Sequence, residues 1–120
     1  MNTDYVDFEY LENLTGGDTE SFVMILSKIA EESKRQHFEI NKAFDAKNWP
    51  ELKFHSHKLK SSMLYLNNTF MHGLLKQIED SAKYQQNLDQ IDGLIVSFNE
   101  NIFKLIDKVE VKLTKINNVQ

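Results

Sequence analysis

From Leu88 to Val109 an apolar residue returns at alternating steps of three and four: Leu88, Ile91, Ile95, Phe98, Ile102, Leu105 and Val109. That alternation keeps one side of a helix apolar for about six turns, and a strand, with its two-residue period, cannot reproduce it. Ile106, Leu113 and Ile116 continue the seam with a slight shift of face, so residues from about 110 read as a helical extension. So long an apolar stripe is stable only when other helices cover it. The rest of the chain is suited to supply them. One proline and four glycines in 120 residues leave few places where a helix must stop.

The breakers fall where helices should end. A short first helix is expected from about Asp7 to Leu14, with Phe8 and Leu11 on one face and Thr15-Gly16-Gly17 closing it. Asp18 is the expected N-cap of a second helix, whose Phe22, Ile25, Leu26, Ile29, Ile40 and Phe44 keep helical spacing as far as Lys47. Asn48-Trp49-Pro50-Glu51 opens a third with a capping Asn, a first-turn proline and a Glu three residues on, the capping-box arrangement. Asn67-Asn68 ends it, because Asn tolerates the left-handed conformation almost as glycine does. A fourth runs from about Thr69 to Tyr84 with Met71, Leu74, Leu75, Ile78 and Ala82 inward, and the fifth follows Gln86-Asn87. The expected fold is all-α: an antiparallel up-down four-helix bundle with a short N-terminal lid helix, one domain over residues 1–120.

Several function classes drop out on composition. A net charge of −4 with no basic run argues against a nucleic-acid partner. Without cysteine there is no disulfide framework, thiolate metal site or thiol redox chemistry. Four histidines with no His-x-x-x-His pair, and no Glu-x-x-His, give no reason to expect a metal. No glycine-rich phosphate loop is present, so ATP binding is not expected. Met1-Asn2-Thr3-Asp4 lacks the apolar core of a secretory signal, and no run approaches a membrane span. A cytoplasmic, free-standing protein with no membrane partner is the expectation.

The third helix carries the chemistry. Leu52, Leu59, Met63 and Leu66 form its apolar stripe, with small Ser56 in the gap. His57 lies roughly 140° from the centre of that stripe and so faces water. Ser61 shares its side, as do Phe54, Leu64 and Tyr65, which a purely solvated face would not choose. An unperturbed imidazole, with a pKa near 6.5, is largely neutral and nucleophilic at physiological pH. Side chains lean toward the helix N-terminus, so residue 61 overhangs the ring; serine leaves it open and puts a hydroxyl near a ring nitrogen or a phosphoryl group. Lys60 is a same-surface neighbour able to offer an ammonium to phosphoryl oxygens, and the long stem of Lys58 brings charge near an incoming partner. His55, about 60° from the stripe centre, reads as a packed, hydrogen-bonded edge histidine, and His37 as a satisfied bundle histidine.

These residues resemble a family. His57-Lys58-Leu59-Lys60-Ser61-Ser62, followed by Leu66-Asn67-Asn68, is similar to the signature of the histidine-containing phosphotransfer (HPt) domain. Tyr10 to Asp18, Asn48-Trp49 and Leu75 to Glu79 extend the likeness over most of the chain. Ser61 stands where glycine is common, and Asn67 replaces the usual terminal glycine. The resemblance implies that His57 is a phosphoacceptor, Lys60 the phosphoryl-stabilising lysine and Ser61 the small residue beside the ring. It implies response-regulator receiver domains and a hybrid histidine kinase as partners. The divalent metal sits on the receiver, this chain carries no cofactor, and the chain is a phosphocarrier rather than a turnover enzyme. Receivers would dock over Phe54, Lys58, Leu64 and Tyr65, bordered by Phe8 and Leu11. A monomer is expected, with Val109, Leu113 and Ile116 as the route to a dimer if one forms. The competing reading is a helical adaptor or dimerisation module whose surface histidine is incidental.

Overall fold

A computed structural model of the chain describes residues 6–119, so the acidic stretch at residues 1–4 lies outside it. Five α-helices account for most of the described residues: α1 Phe8–Leu14, α2 Thr19–Asp45, α3 Trp49–Met63, α4 Thr69–Tyr84 and α5 Ile91–Val119. Each of the first four starts with a side-chain cap on an otherwise orphaned N–H. Asp7 accepts from the Tyr10 N–H at 2.9 Å, Asp18 from Glu20 at 3.3 Å, Asn48 from Glu51 at 3.3 Å and Asn68 from Met71 at 2.9 Å. The capping box expected at Asn48 is only half formed. The Asn48 N–H is already donated to the Ala43 carbonyl, closing α2, and the Glu51 carboxylate turns to His55 instead.

The α-helical part of the third helix is shorter than the sequence suggests. It ends at Met63, and Leu64–Leu66 tighten into a 3₁₀ turn before Asn67 takes the left-handed conformation at φ 53°. That tightening turns the chain into α4 within a few residues. Leu88 lies in the turn before α5 rather than in it, and packs half-buried against the core.

α2 packs on α3 and on α5, and α4 packs on the same two, so the long helices close a ring around one core. Phe98, Leu26, Ile40, Leu59, Leu75 and Ile102 are fully buried within it, and Ser56 is buried in the gap of the α3 stripe. The molecule measures 48 × 22 × 22 Å, its long axis set by the 29-residue α5, about 43 Å at 1.5 Å per residue. α1 packs on the 3₁₀ turn and on α2.

Two sequence expectations are corrected here. Leu11 is fully buried, so it belongs to the core and not to a docking border: a seven-residue helix has one apolar face, and α1 turns that face inward. The apolar side of the last α5 turns is also occupied within the chain. Val109 is fully buried, Leu113 and Ile116 pack against the core, and the Lys112 ammonium lies 5.5 Å over the Phe8 ring. Val109 is therefore unavailable to a partner chain, and Leu113 and Ile116 are partly covered. Among the described residues no helix is long and apolar enough to cross a membrane.

Candidate functional site

His57 sits in the middle of α3 with 60% of its side chain exposed, as its angular position requires. Its ring is nevertheless fixed. Nδ1 lies 2.8 Å from Oε2 of Glu79 on α4, whose other oxygen accepts from the Lys60 ammonium at 2.7 Å. Glu79 and Lys60 are both largely buried, at 11% and 16% side-chain exposure, so one carboxylate joins two cation-capable groups at the α3–α4 seam.

The two cation-capable neighbours set the state of the Glu79 carboxyl. Burial pushes the Glu79 carboxyl up, but the hydrogen bonds and charges of Lys60 and His57 outweigh it and hold the group below its ordinary 4.5. Glu79 is therefore a carboxylate at neutral pH. A carboxylate can only accept, so the proton of the neutral ring resides on Nδ1 and the lone pair on Nε2. Across the ring from Glu79, Nε2 has no hydrogen-bond partner among the described residues. The imidazole is thus held by its inner edge, with Nε2 on the outer side.

The remaining sequence candidates fall into three groups. Phe54, Lys58 and Ser61 line, with His57 and Glu79, one open cleft of about 910 Å³. The Ser61 hydroxyl donates to the His57 backbone carbonyl at 3.3 Å and not to the ring. Lys58 lies 3.5 Å from Glu32 of α2. Lys60, expected to face an incoming group, is engaged with Glu79. Leu64 and Tyr65 are exposed, at 56% and 47%, on the 3₁₀ turn rather than on α3, and Tyr65 lines the neighbouring α2–α3 groove. Phe8 is half-buried under Lys112, outside the cleft. Leu11 is in the core.

His55 is the packed edge histidine expected, 13% exposed, with Nδ1 2.6 Å from Gln36 Oε1 and Nε2 3.2 Å from Glu51. His37 lies half-buried on α2. Burial lowers its pKa below 6.5 against the opposing hydrogen bond of Asn99.

Glu79 is the functional residue that the reading of the third helix missed. A signal was present: Met71, Leu75, Ile78 and Ala82 mark the inner face of α4, and Glu79 falls one turn after Leu75 on that face. An acid at an inward position needs a partner. The sequence alone does not say which helix provides it.

No family model and no curated protein matches the chain. Among solved structures it is similar to histidine-containing phosphotransfer protein B (HptB) from Pseudomonas aeruginosa PAO1, with a TM-score of 0.81 and 16% identity over 92% of this chain and 96% of that one. In fold, though distant in sequence, the chain therefore resembles a histidine-containing phosphotransfer protein.

Proposed function

We propose that this chain is a phosphorelay carrier, in which His57 Nε2 accepts a phosphoryl group from a receiver-domain aspartate and passes it to another receiver. The observation that carries the proposal is the Glu79–His57 contact, which fixes Nδ1 as the protonated nitrogen and leaves Nε2 outward. The fold likeness supports the same reading. An antiparallel up-down order of the four long helices belongs to it, as do a monomeric state and a cytoplasmic location.

The chemistry balances without a further reactant. The Nε2 lone pair attacks phosphorus in line, a P–N bond forms, and the P–O bond to the aspartate carboxyl breaks with its electron pair leaving on that carboxylate. The ring gains positive charge, which Glu79 offsets through the Nδ1–H. In the return step the pair goes back to Nε2 and the proton never leaves Nδ1. A divalent ion on the receiver supplies charge to the phosphoryl oxygens, and this chain contributes no cofactor. Lys60 keeps Glu79 ionised at rest, and its ammonium gains a second anionic neighbour once phosphorus arrives. Ser61 acts by being small. The chain positions a nucleophile and is a carrier, not a turnover enzyme.

Incubation with a phosphorylated receiver domain tests this. The natural chain takes up acid-labile, base-stable label, and His57→Gln takes up none. Equal labelling of the two proteins would move the phosphoacceptor elsewhere. The adaptor reading would use α5, whose Val109 is buried and whose Leu113 and Ile116 are partly covered; labelling of neither protein would favour it.

A further inference from the structure

The charges of the His57 cleft are unevenly paired. Of its carboxylates, Glu51 bonds His55 and Glu79 bonds both His57 and Lys60, while Lys58 pairs with Glu32. Two lysines of the cleft, Lys53 on α3 and Lys83 on α4, form no ion pair among the described residues. Lys83 only lies 5.0 Å over the ring of its neighbour Tyr84. Lys53 precedes His57 by one turn and Lys83 follows Glu79 by one turn. The His57–Glu79 bond and the short link from α3 to α4 run these two helices in opposite senses, which brings both lysines to the same end of the cleft. The cleft thus carries two unpaired ammonium groups beside the exposed imidazole of His57.

We infer that Lys53 and Lys83 form a steering pair that selects an acidic partner face for docking over His57, a refinement that rests on the phosphocarrier reading above. A partner that presents a phospho-aspartate beside a hard divalent ion holds that ion through carboxylates, so its rim is acidic. Two uncommitted ammonium groups at the lip of the cleft complement such a rim. Exposed charges of this kind act on the rate of encounter and on partner choice more than on the chemical step. The pair differs in this from Lys60, whose ammonium is committed to Glu79 inside the site.

The test is single-turnover transfer from a phosphorylated receiver domain, varied in concentration, to the natural chain and to Lys53→Glu/Lys83→Glu. At low salt the charge-reversed chain needs about tenfold more receiver for half-maximal rate, while the plateau rate changes by less than about twofold. In about 0.5 M salt the two chains converge, because exposed charges are then screened. Lys53→Gln/Lys83→Gln falls between them, and unchanged thermal unfolding of both variants excludes misfolding. Identical concentration dependence of all three chains at low salt overturns the steering pair and leaves the carrier function standing. A fall in plateau rate that persists in high salt also overturns it, placing the lysines in the chemistry. Absence of label on the natural chain removes the carrier reading and the inference with it.

Discussion

In the proposed mechanism the Glu79 carboxylate makes a directed nucleophile of an exposed histidine. Without it, either ring nitrogen of His57 carries the proton and the ring rotates about its bonds; with it, Nδ1 is held at 2.8 Å and Nε2 is the free nitrogen. Glu79→Gln keeps the shape but removes the charge that fixes the proton and balances the ring. Transfer should slow about tenfold, corresponding to about 1.4 kcal/mol, with docking unchanged; single-turnover kinetics at saturating receiver measure this. Ser61→Leu separates access from electrostatics. The leucine overhangs the imidazole, so transfer should drop about a hundredfold while urea unfolding shifts by less than about 0.5 kcal/mol. At this scale half of the site is legible in the chain. The outward angle of His57 follows from the spacing of Leu52, Leu59 and Met63, but its partner lies 22 residues away on another helix. Pairing at that separation is set by packing, which periodicity does not report.

The helix starts are more legible than the helix ends. Asp18 and Asn48 cap where expected because an N-cap needs a side-chain acceptor, and few residue types supply one. Closing an end needs only one residue with positive φ. Lys47, Asn67 and Gln85 serve at φ 52°, 53° and 50°, and of these only Asn67 is of a type that signals the role. The expected helix through residue 66 became a 3₁₀ turn for a related reason. Leu66 is buried while Leu64 and Tyr65 are exposed, so tighter winding seats one leucine and releases two side chains. Asn67→Val, a β-branched residue forced into that conformation, should cost about 1–2 kcal/mol in chemical denaturation, whereas Asn67→Gly should change it by less than about 0.5 kcal/mol. Equal losses for both variants would assign the effect to the side-chain contact of Asn67 with Asp7 instead. α1 is the element least well read. Two apolar residues on a seven-residue helix give a face but no direction, and the fold turned Leu11 inward.

For the whole molecule the α5 seam made the all-helical fold legible, because a stripe of that length demands partners all along it. The path of α5 past Val109 was not legible: the shifted stripe of Leu113 and Ile116 suits an external partner as well as the bundle end it meets. Stability should follow pH through two groups buried to different extents. His37 has a pKa below 6.5 in the folded chain, so between that value and 6.5 the unfolded chain binds the extra proton. Stability is then complete above 6.5 and declines as pH falls below it. Glu79, held below 4.5 when folded, adds a second decline, its contribution present above 4.5 and lost as pH falls through the folded value. Thermal unfolding across this range should show two acid limbs. His37→Gln should flatten the upper one and Glu79→Gln the lower one, and an upper limb unchanged in His37→Gln would assign it to another group.

The most direct measurement is nitrogen and phosphorus NMR of the ¹⁵N-labelled chain before and after phosphorylation by a receiver domain. The expected spectrum places the proton of His57 on Nδ1 in the resting chain and phosphorus on Nε2 after transfer, with the Nδ1–H retained. Phosphorus on Nδ1, or a resting ring whose proton lies on Nε2, would contradict the role assigned to Glu79 and with it the account of why this histidine reacts.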